Sequence, residues 1–254
     1  MTAEAVSLTP LPGLPLVRPG DDLAGLLIEA IERAALTPRD GDVLAVAQKV
    51  VSKAEGRDIA LAAVTPSPRA RALAVETGKD ARLIEVILGE SSEILRRREG
   101  LIIAAHRLGH VMANAGVDHS NVEDAGERVL LLPCDADASA AALKARLDGR
   151  FAVRFGVVIC DSAGRAWRRG VVGLALGAAG VPALLDLVGR PDLFDRRLEV
   201  TEVAVADALA AAAVLVMGEA AEGRPAVLVR GLALAGPALP AAALVRPREQ
   251  DLFR

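Results

Sequence analysis

The chain has 254 residues, of which 52% are hydrophobic, and its formal net charge at pH 7 is −3. This length and apolar content allow a full buried core and exclude an intrinsically disordered chain. The slightly negative charge gives no overall attraction to nucleic acid or to an anionic membrane surface. Aromatic residues make up only 2% of the chain, so we expect no base-stacking surface for nucleic acid either.

Cysteine usage and the longest apolar runs predict a soluble, cytoplasmic protein. Cys134 and Cys160 form no CxxC pair, a usage typical of a reducing compartment. Residues 1–20 lack the basic start and continuous apolar stretch of an export signal. The runs 171–185 and 208–218 are too short for a membrane span, and glycine and proline also interrupt the first.

The sequence pattern of the first half of the chain predicts strands and helices in alternation. Residues 4–22 predict a strand and then a Pro/Gly-rich loop, and Asp21 or Asp22 is expected to cap a helix over 23–36. Residues 41–57 predict an apolar strand that runs on into a polar segment with two lysines. The stretch 67–98 is predicted to be mostly helical, since apolar residues recur at helical spacing over 80–98.

The second half predicts strands and helices without a regular βαβ rhythm. The segments are two short strands around a turn in 101–116, a strand over 128–133, a helix over 135–149 capped by an Asp or Ser, a strand and a polar loop in 151–170, a helix within 198–218, and a strand within 224–231. We therefore predict an α+β fold with a mixed sheet, formed by residues 1–254 as one domain with the possibility of two interwoven subdomains.

The distribution of lysine singles out one segment. The chain has only four lysines among its 30 basic residues, and two of them, Lys49 and Lys53, lie in "QKVVSKAEGR" (48–57). A compact ammonium group is suited to phosphate oxygens. The alternative is a chance placement on a solvated strand end, and this feature alone does not decide between the two.

Three acidic positions follow apolar segments at glycine-bearing loops. They are Asp118 in "NAGVDHSNV", Asp161 in "VVICDSAGR", and Glu219 or Glu222 in "VMGEAAEGRP". Carboxylates at such positions, with Ser and Asn beside them, suit hard cations such as Mg²⁺ or Mn²⁺. Each of them alone is explained as well by an ordinary turn acid that caps backbone amides, and spacing does not show that they converge.

Several familiar signatures are absent from the sequence. It contains no GxxxxGK[ST] loop, no GxGxxG turn between a strand and a helix, no GxSxG and no HExxH. The glycines of 173–180 indicate close backbone packing. His106 and His110 have a zinc spacing, but the glycine turn between them predicts a hairpin, and no third ligand is evident. Cys160 is expected to be a packed strand residue rather than a nucleophile.

Seven blocks of the sequence occur in the order found in one family. They are "GLPLVRPGDDL", "QKVVSKAEGR", "NAGVDHSNV", "LLPCDADASA", "CDSAGRAWRRG", "VMGEAAEGRPAVLVRG" and the closing "RPREQDLFR". On these blocks the chain resembles the coenzyme F420-0:L-glutamate ligases, the γ-glutamyl ligases of F420 biosynthesis, from about residue 10 to the C-terminus. It resembles their stand-alone form, which lacks the additional nitroreductase-like domain of some relatives.

The resemblance implies a fold, a reaction and a set of partners. The fold is the α+β fold of that family, usually an intertwined homodimer. The reaction joins L-glutamate to F420-0, and can extend the tail by γ-linkages, at the expense of GTP. The implied cofactors are Mg²⁺ or Mn²⁺, with K⁺ as a helper. Since a carboxylate is a poor acylating agent, the expected route passes through an acyl phosphate and releases GDP and phosphate.

The resemblance also assigns roles to residues of this sequence. Asp118, Asp161 and Lys53 are the implied catalytic residues. The implied metal ligands are Asp118, Asp161, Ser162 and Glu219, with Glu222 as the alternative acid. The implied GTP contacts are Leu14, Pro15, Leu16, Val17, Gln48, Lys49, Lys53, Asn121, Met217, Gly218, Glu219, Ala220, Ala221, Glu222, Gly223 and Arg224. Arg165 and Arg168 are candidate binders of substrate carboxylate or phosphodiester, and a solvated loop explains them equally well.

Two other functions remain open from the sequence. One is a different metal-dependent phosphoryl-transfer or amide-forming enzyme that uses another carboxylate acceptor. The other is a guanine-nucleotide-binding protein without catalytic turnover. Turnover with F420-0 separates the first of these from the ligase, and GTP binding without ligation or hydrolysis identifies the second.

Overall fold

The computed structural model describes residues 5–121 and 126–252. The strands are β1 (Ser7–Pro10), β2 (Val43–Ala47), β3 (Asp58–Ala60), β4 (Ser91–Arg98), β5 (Leu101–His106), β6 (Val111–Ala113), β7 (Arg128–Leu130), β8 (Gly156–Arg165), β9 (Arg168–Ala179), β10 (Leu184–Asp186), β11 (Glu202–Ala204) and β12 (Ala226–Arg230). The helices are α1 (Leu23–Arg33), α2 (Gln48–Ala54), α3 (Pro68–Thr77), α4 (Ala81–Glu90), α5 (Ala136–Phe151) and α6 (Val205–Met217). This content and the mixed sheet confirm the α+β prediction.

The main sheet has five strands in the order β1-β12-β2-β8-β9. Its one parallel pair is β2 with β8, in a register that sets Ala47 opposite Cys160, and the other pairs are antiparallel. Strand β2, residues 156–160 of β8 and residues 226–229 of β12 are entirely apolar, as expected for strand segments covered on both faces. One face packs against α1 and α5, and the other packs against α6.

Two glycines of β9 allow helices to approach its backbone closely. A Cβ atom on Gly177 would overlap the carbonyl group of Ala136 at the start of α5, and one on Gly173 would overlap the carbonyl group of Ala210 in α6. Only glycine fits such a contact between backbones. This confirms the predicted close packing in residues 173–180.

A second sheet and a third hydrophobic cluster lie beside this core. Strands β4, β5 and β6 form an antiparallel sheet, and α3 and α4 pack with it around Ile84, Ile87 and Ile102. His106 and His110 flank the β5–β6 turn, and the His106 N–H donates to the His110 carbonyl group (2.7 Å). The predicted hairpin is therefore confirmed.

The predicted helices at 23–36, 135–149 and 198–218 are confirmed, and Asp22 and Asp135 act as N-caps by accepting bonds from Gly25 and Ala138. Three segments differ from the predictions. Residues 161–170, predicted as a polar loop after a strand, form the end of β8 and the start of β9. The lysine-bearing segment after β2 is the helix α2, not a polar end of a strand. The predicted helix over 80–98 ends at Glu90, because residues 91–98 pair with β5 as strand β4.

Among the residues that the structure describes, no helix combines the length and the apolar composition that crossing a bilayer requires. Both cysteines are free, Cys134 at the surface and Cys160 in the core. Burial raises the pKa of the Cys160 thiol to about 12, which fits the predicted packing role and leaves almost no thiolate at neutral pH.

Candidate active site

The parallel pair of strands brings distant parts of the chain to one edge of the sheet. Strand β2 ends at Ala47, opposite Cys160, and α2 begins directly afterwards. Strand β8 continues past that point, so that Asp161 and Ser162 lie beside the start of α2. The loop before β12 reaches the same edge, since the Ala47 N–H donates to the Pro225 carbonyl group (2.7 Å). Residues from three segments therefore meet at this edge.

Helix α2 carries three of the predicted nucleotide contacts. The Gln48 side chain is buried and donates from Nε2 to Ser52 Oγ (2.7 Å) and to the Leu131 carbonyl group (3.2 Å). These bonds fix the first turn of the helix against the segment that follows β7. Lys49 and Lys53 therefore extend from a helix whose position is fixed by its neighbours.

Asp118 lies after a left-handed turn of the backbone. Asn114, Ala115 and Gly116 all have positive φ (52°, 51° and 73°), and such a conformation costs energy for the two residues with a Cβ. At Gly116 a Cβ would come within 2.8 Å of the Leu132 side chain. Asp118 is then held by paired backbone bonds with Leu130 (2.7 and 3.1 Å).

The carboxylate of Asp118 is the most heavily hydrogen-bonded group of the site. It accepts from the backbone N–H groups of His119 (2.7 Å) and Ser120 (2.9 Å) and from Ser120 Oγ (2.7 Å). Lys49 Nζ lies 2.9 Å from its second oxygen. Burial acts to raise the pKa of Asp118, but the bonds from Ser120 and the charge of Lys49 outweigh it and lower the pKa to about 2.

The surroundings of Asp161 raise its pKa, whereas those of Asp118 lower its pKa. Burial raises its pKa to about 6, against the opposing effects of Lys49 and of the Ser162 N–H bond (2.9 Å). The negative charges of Asp118 and Glu219 act in the same direction as burial. Lys49 pairs with Asp118, and Ser162, next to Asp161, bonds to Glu219. The three predicted acidic positions therefore lie at one edge of the sheet, which their sequence spacing alone could not establish.

The structure distinguishes Glu219 from Glu222. Ser162 Oγ donates to Glu219 Oε2 (2.8 Å), so that Glu219 lies beside the end of β8. Glu222 Oε2 instead accepts from the Ala220 N–H (2.8 Å) and turns back on its own loop. Glu219 is therefore the acid that joins Asp161 and Ser162.

Two hydrogen bonds link helix α2, the loop that contains Asp118, and the loop that contains Glu219. Lys53 Nζ donates to the Asn121 carbonyl group (2.7 Å), and Asn121 Nδ2 donates to the Ala220 carbonyl group (3.4 Å). Asn121 has a positive φ of 56°. The next residue, Val122, ends the "NAGVDHSNV" block and lies outside the described residues.

The remaining predicted residues lie around or away from this centre. Leu14–Val17 belong to the loop before α1, with Val17 in the core and Leu16 exposed. This loop is fixed to the end of α2 by a bond from the Gly20 N–H to the Ala54 carbonyl group (2.9 Å). In the last segment Met217 is buried, whereas the stretch 219–224 is exposed. Arg165 and Arg168 face each other across the tip of the β8–β9 hairpin, outside the cluster of carboxylates.

Within residues 5–121 and 126–252, no three His, Cys, Asp or Glu side chains are close enough together to enclose a metal ion. The oxygen ligands available nevertheless suit a hard divalent cation. The carboxylates of Asp118, Asp161 and Glu219 and the hydroxyl group of Ser162 lie in the same neighbourhood. The ammonium group of Lys49 now supplies the positive charge at Asp118. The metal ligands and the nucleotide contacts stay predictions.

Sequence reasoning missed the role of Ser120, which holds the Asp118 carboxylate through two bonds. The signal was present, because Asp followed two residues later by Ser is typical of a side-chain-bonded turn. Asp118 is thus a turn acid, which was one of the two interpretations of the sequence, and its carboxylate also faces Lys49. His119 is exposed and contributes its backbone N–H.

A family model described as F420-0:gamma-glutamyl ligase matches residues 13–231 of the chain. The chain belongs to this family. It is 47% identical to the coenzyme F420:L-glutamate ligase of Methanothermobacter thermautotrophicus, over 98% of this chain and 99% of that protein. It is 49% identical to the ligase of the same name from Methanopyrus kandleri (97% of each chain) and 45% identical to that from Archaeoglobus fulgidus (98% and 96%).

Proposed function

We propose that this protein is a ligase that joins L-glutamate to coenzyme F420-0 with consumption of GTP, and that it extends the product by γ-linkage. Family membership and the names of three relatives at 45–49% identity support the ligase activity. The site supports the rest of the proposal through one observation. Asp118, Asp161 and Glu219 converge with Lys49 at the edge of the sheet where the predicted nucleotide-binding segments meet.

The proposed reaction has two steps. An oxygen of the acceptor carboxylate bonds to the γ-phosphorus of GTP, the bond from that phosphorus to the bridging oxygen breaks, and GDP leaves. The amine nitrogen of L-glutamate then bonds to the acyl carbon of the resulting acyl phosphate. The carbon–oxygen bond to phosphate breaks, the amine loses a proton, and the amide and inorganic phosphate are released.

The residues of the chain serve this reaction by positioning groups and by neutralising charge. Lys49 and Lys53 would bind phosphate oxygens of GTP, and Asn121 and the loop 217–224 would lie along the nucleotide. Asp118, Asp161, Ser162 and Glu219 would hold Mg²⁺ or Mn²⁺. When bound, this cation supplies positive charge to the phosphate oxygens.

We also propose that the chain acts as a homodimer in the reducing cytoplasm. The segment between β10 and β11 carries three strongly exposed apolar side chains, Leu193, Phe194 and Val200, which are 97%, 76% and 86% exposed. Apolar groups exposed together mark a surface that a partner covers. The two free cysteines agree with a reducing compartment.

A ligation assay read by mass spectrometry tests the proposal. Purified protein is incubated with F420-0, L-glutamate, GTP and Mn²⁺, with and without K⁺. The wild type should yield glutamyl-extended F420, and Asp118→Asn and Asp161→Asn should each lower the rate by about 100-fold or more. Glu29→Gln, at an exposed carboxylate that pairs with Arg33 (3.9 Å), serves as the matched control and should keep the wild-type rate.

The pair Glu219→Gln and Glu222→Gln resolves the choice that the sequence left open. The Glu219 variant should lose far more activity, since only that side chain bonds to Ser162. GTP hydrolysis with other acids but no use of F420-0 would point to a different acceptor. Tight GTP binding without ligation or hydrolysis would indicate a non-catalytic nucleotide-binding protein.

A further inference from the structure

A cavity of about 220 Å³ lies beside β9, apart from the cluster of carboxylates. It is lined by the start of β6 and the turn before it, by β9 at Leu174 and Ala175, by the first turn of α6, and by the C-terminal segment 244–251. No residue assigned above to metal, nucleotide or substrate belongs to this lining. The cavity is smaller than the roughly 300–1,000 Å³ of sites for drug-sized ligands, so it suits a small metabolite rather than a nucleotide.

The walls of the cavity are fixed by contacts within the protein. Gly109 has a φ of 93°, and a Cβ atom there would come within 2.7 Å of the Val245 side chain, so the hairpin turn packs tightly against the C-terminal segment. Just before that segment, Asp137 of α5 accepts from the N–H groups of Ala241 and Ala242 (2.7 and 3.1 Å). The cavity is therefore formed in advance, as small-molecule sites usually are.

Asp207, in the first turn of α6, supplies a carboxylate to one wall. Its Oδ1 atom accepts from the Ala175 N–H (2.8 Å), and within residues 5–121 and 126–252 its second oxygen has no hydrogen-bond partner. Burial raises the pKa of Asp207, against the bond from Ala175 and the charge of His110. Because a buried carboxylate gains from a cation placed beside it, this wall favours a ligand with an ammonium group.

Arg246 supplies a guanidinium group from the C-terminal segment. It begins the block "RPREQDLFR", which contains none of the site residues implied by the resemblance. In the part of the chain that the structure describes, Arg246 forms no ion pair with a carboxylate. A guanidinium group binds a carboxylate through two parallel hydrogen bonds, so this wall favours a ligand with a carboxylate.

The rest of the lining is mostly apolar. Burial lowers the pKa of His110, so its ring is neutral at neutral pH and adds no fixed charge. Asp251 adds a second carboxylate. The apolar side chains around the cavity are those of Val111, Leu174, Ala175, Leu244 and Val245. A ligand in the cavity therefore meets one cationic group, carboxylates and an apolar surface.

We propose that this cavity binds a neutral α-amino acid with an apolar side chain. Arg246 would bind its carboxylate, Asp207 its ammonium group, and the apolar residues its aliphatic body. L-Glutamate fits less well, because its second carboxylate would be repelled by the acidic side chains of the lining. The site is thus distinct from the substrates of the proposed reaction, and it stands whether or not that reaction occurs.

Isothermal titration calorimetry of the full chain with L-leucine, without GTP or metal, tests the proposal. The wild type should bind L-leucine. Isocaproate, which lacks the amine of leucine, and isoamylamine, which lacks its carboxylate, should each bind at least about 10-fold more weakly. Arg246→Gln and Asp207→Asn should each weaken the binding of L-leucine by a similar factor. Asn at position 207 keeps an oxygen for the Ala175 N–H, and circular dichroism checks that both variants are folded.

Arg248→Gln is the matched control. Arg248 lies two residues further along the same segment, but it pairs with Glu93 (2.9 Å) and does not line the cavity. The control should bind L-leucine as the wild type does. If Arg246→Gln and Arg248→Gln weaken binding equally, the guanidinium group of Arg246 has no specific role and the proposal is wrong.

Three other outcomes would overturn the proposal. One is the absence of L-leucine binding at concentrations up to about 10 mM. Another is equally tight binding of isocaproate, which would show that no ammonium group is recognised. The third is equally tight binding of L-glutamate that depends on Arg246, which would make the cavity a general site for carboxylates. Since none of these measurements uses ligation, the ligase assignment is tested separately.

Discussion

The buried ion-pair cluster around Glu90 offers a quantitative test of how the site is supported. Glu90, at the end of α4, faces Arg57 Nη2 (3.0 Å), His106 Nε2 (3.3 Å) and Arg107 Nε (3.5 Å). The side chains of Glu90 and Arg57 are only 13% and 18% exposed. Arg57 also donates to the Leu132 carbonyl group (2.9 Å), so the cluster fixes the chain that leaves α2. We predict that Glu90→Gln destabilises the protein.

The size of the effect follows from the burial of the pair. Removing one partner of a fully buried ion pair costs about 3–5 kcal/mol, because a charge remains without compensation. The residual exposure here and the retained carbonyl oxygen of Gln reduce this to about 2–3 kcal/mol. For a chain of this length that corresponds to a fall in Tm of roughly 4–12 °C.

Thermal unfolding followed by circular dichroism measures this difference. The matched control is Glu76→Gln, because Glu76 pairs with Arg97 at the surface and both side chains are 48% exposed. An exposed pair contributes less than about 1 kcal/mol, so the control should change Tm by only a few degrees. Equal losses in the two variants would refute the assignment of Glu90 to a buried, stabilising cluster.

Two further predictions concern pH and packing. Burial lowers the pKa of His106 below its usual 6.5, against the opposing effect of Glu90, so the unfolded chain binds more protons and stability should fall as pH drops below about 6.5. Urea unfolding across this range should show a shallower loss for His106→Gln, and an unchanged slope would contradict the reasoning. Gly177→Ala should cost about 1–3 kcal/mol in urea unfolding through overlap with the Ala136 carbonyl group. Gly89→Ala in α4, where nothing lies within 4 Å, should be neutral or slightly stabilising, and equal effects of the two changes would contradict the overlap.

Local patterns predicted the elements that depend on local interactions. The helix at 135–149 is recognisable from its Asp cap and its alanine-rich body, and it forms as α5. The difference over residues 91–98 arises because pairing with another strand decides the structure there. Residues 91–98 have helical spacing but form β4 because β5 follows through Gly100 and pairs with them. Tertiary pairing overrides such propensities.

In the candidate site, too, the sequence indicated which residues are involved but not how the fold brings them together. Sequence reasoning identified Asp118, Asp161 and either Glu219 or Glu222 from their positions at the ends of apolar segments, and Lys49 from the scarcity of lysine, and the family resemblance favoured Glu219. Their convergence depends on the parallel pairing of Ala47 with Cys160, which joins positions 113 residues apart, and no local pattern encodes that register. The left-handed turn before Asp118 was also unreadable, since an alanine such as Ala115 gives no sign of its φ of 51°.

The charges gathered at this edge of the sheet limit which chemistry it can support. Asp118, Asp161 and Glu219 would carry three negative charges when ionised, and Lys49 and Lys53 supply two positive charges. The raised pKa of Asp161, about 6, reflects burial among these carboxylates despite Lys49. A triphosphate brings further negative charge, so without another cation it would be repelled by the carboxylates. The proposed divalent cation would meet that need, and it would also leave the ammonium group of Lys49 available for phosphate oxygens.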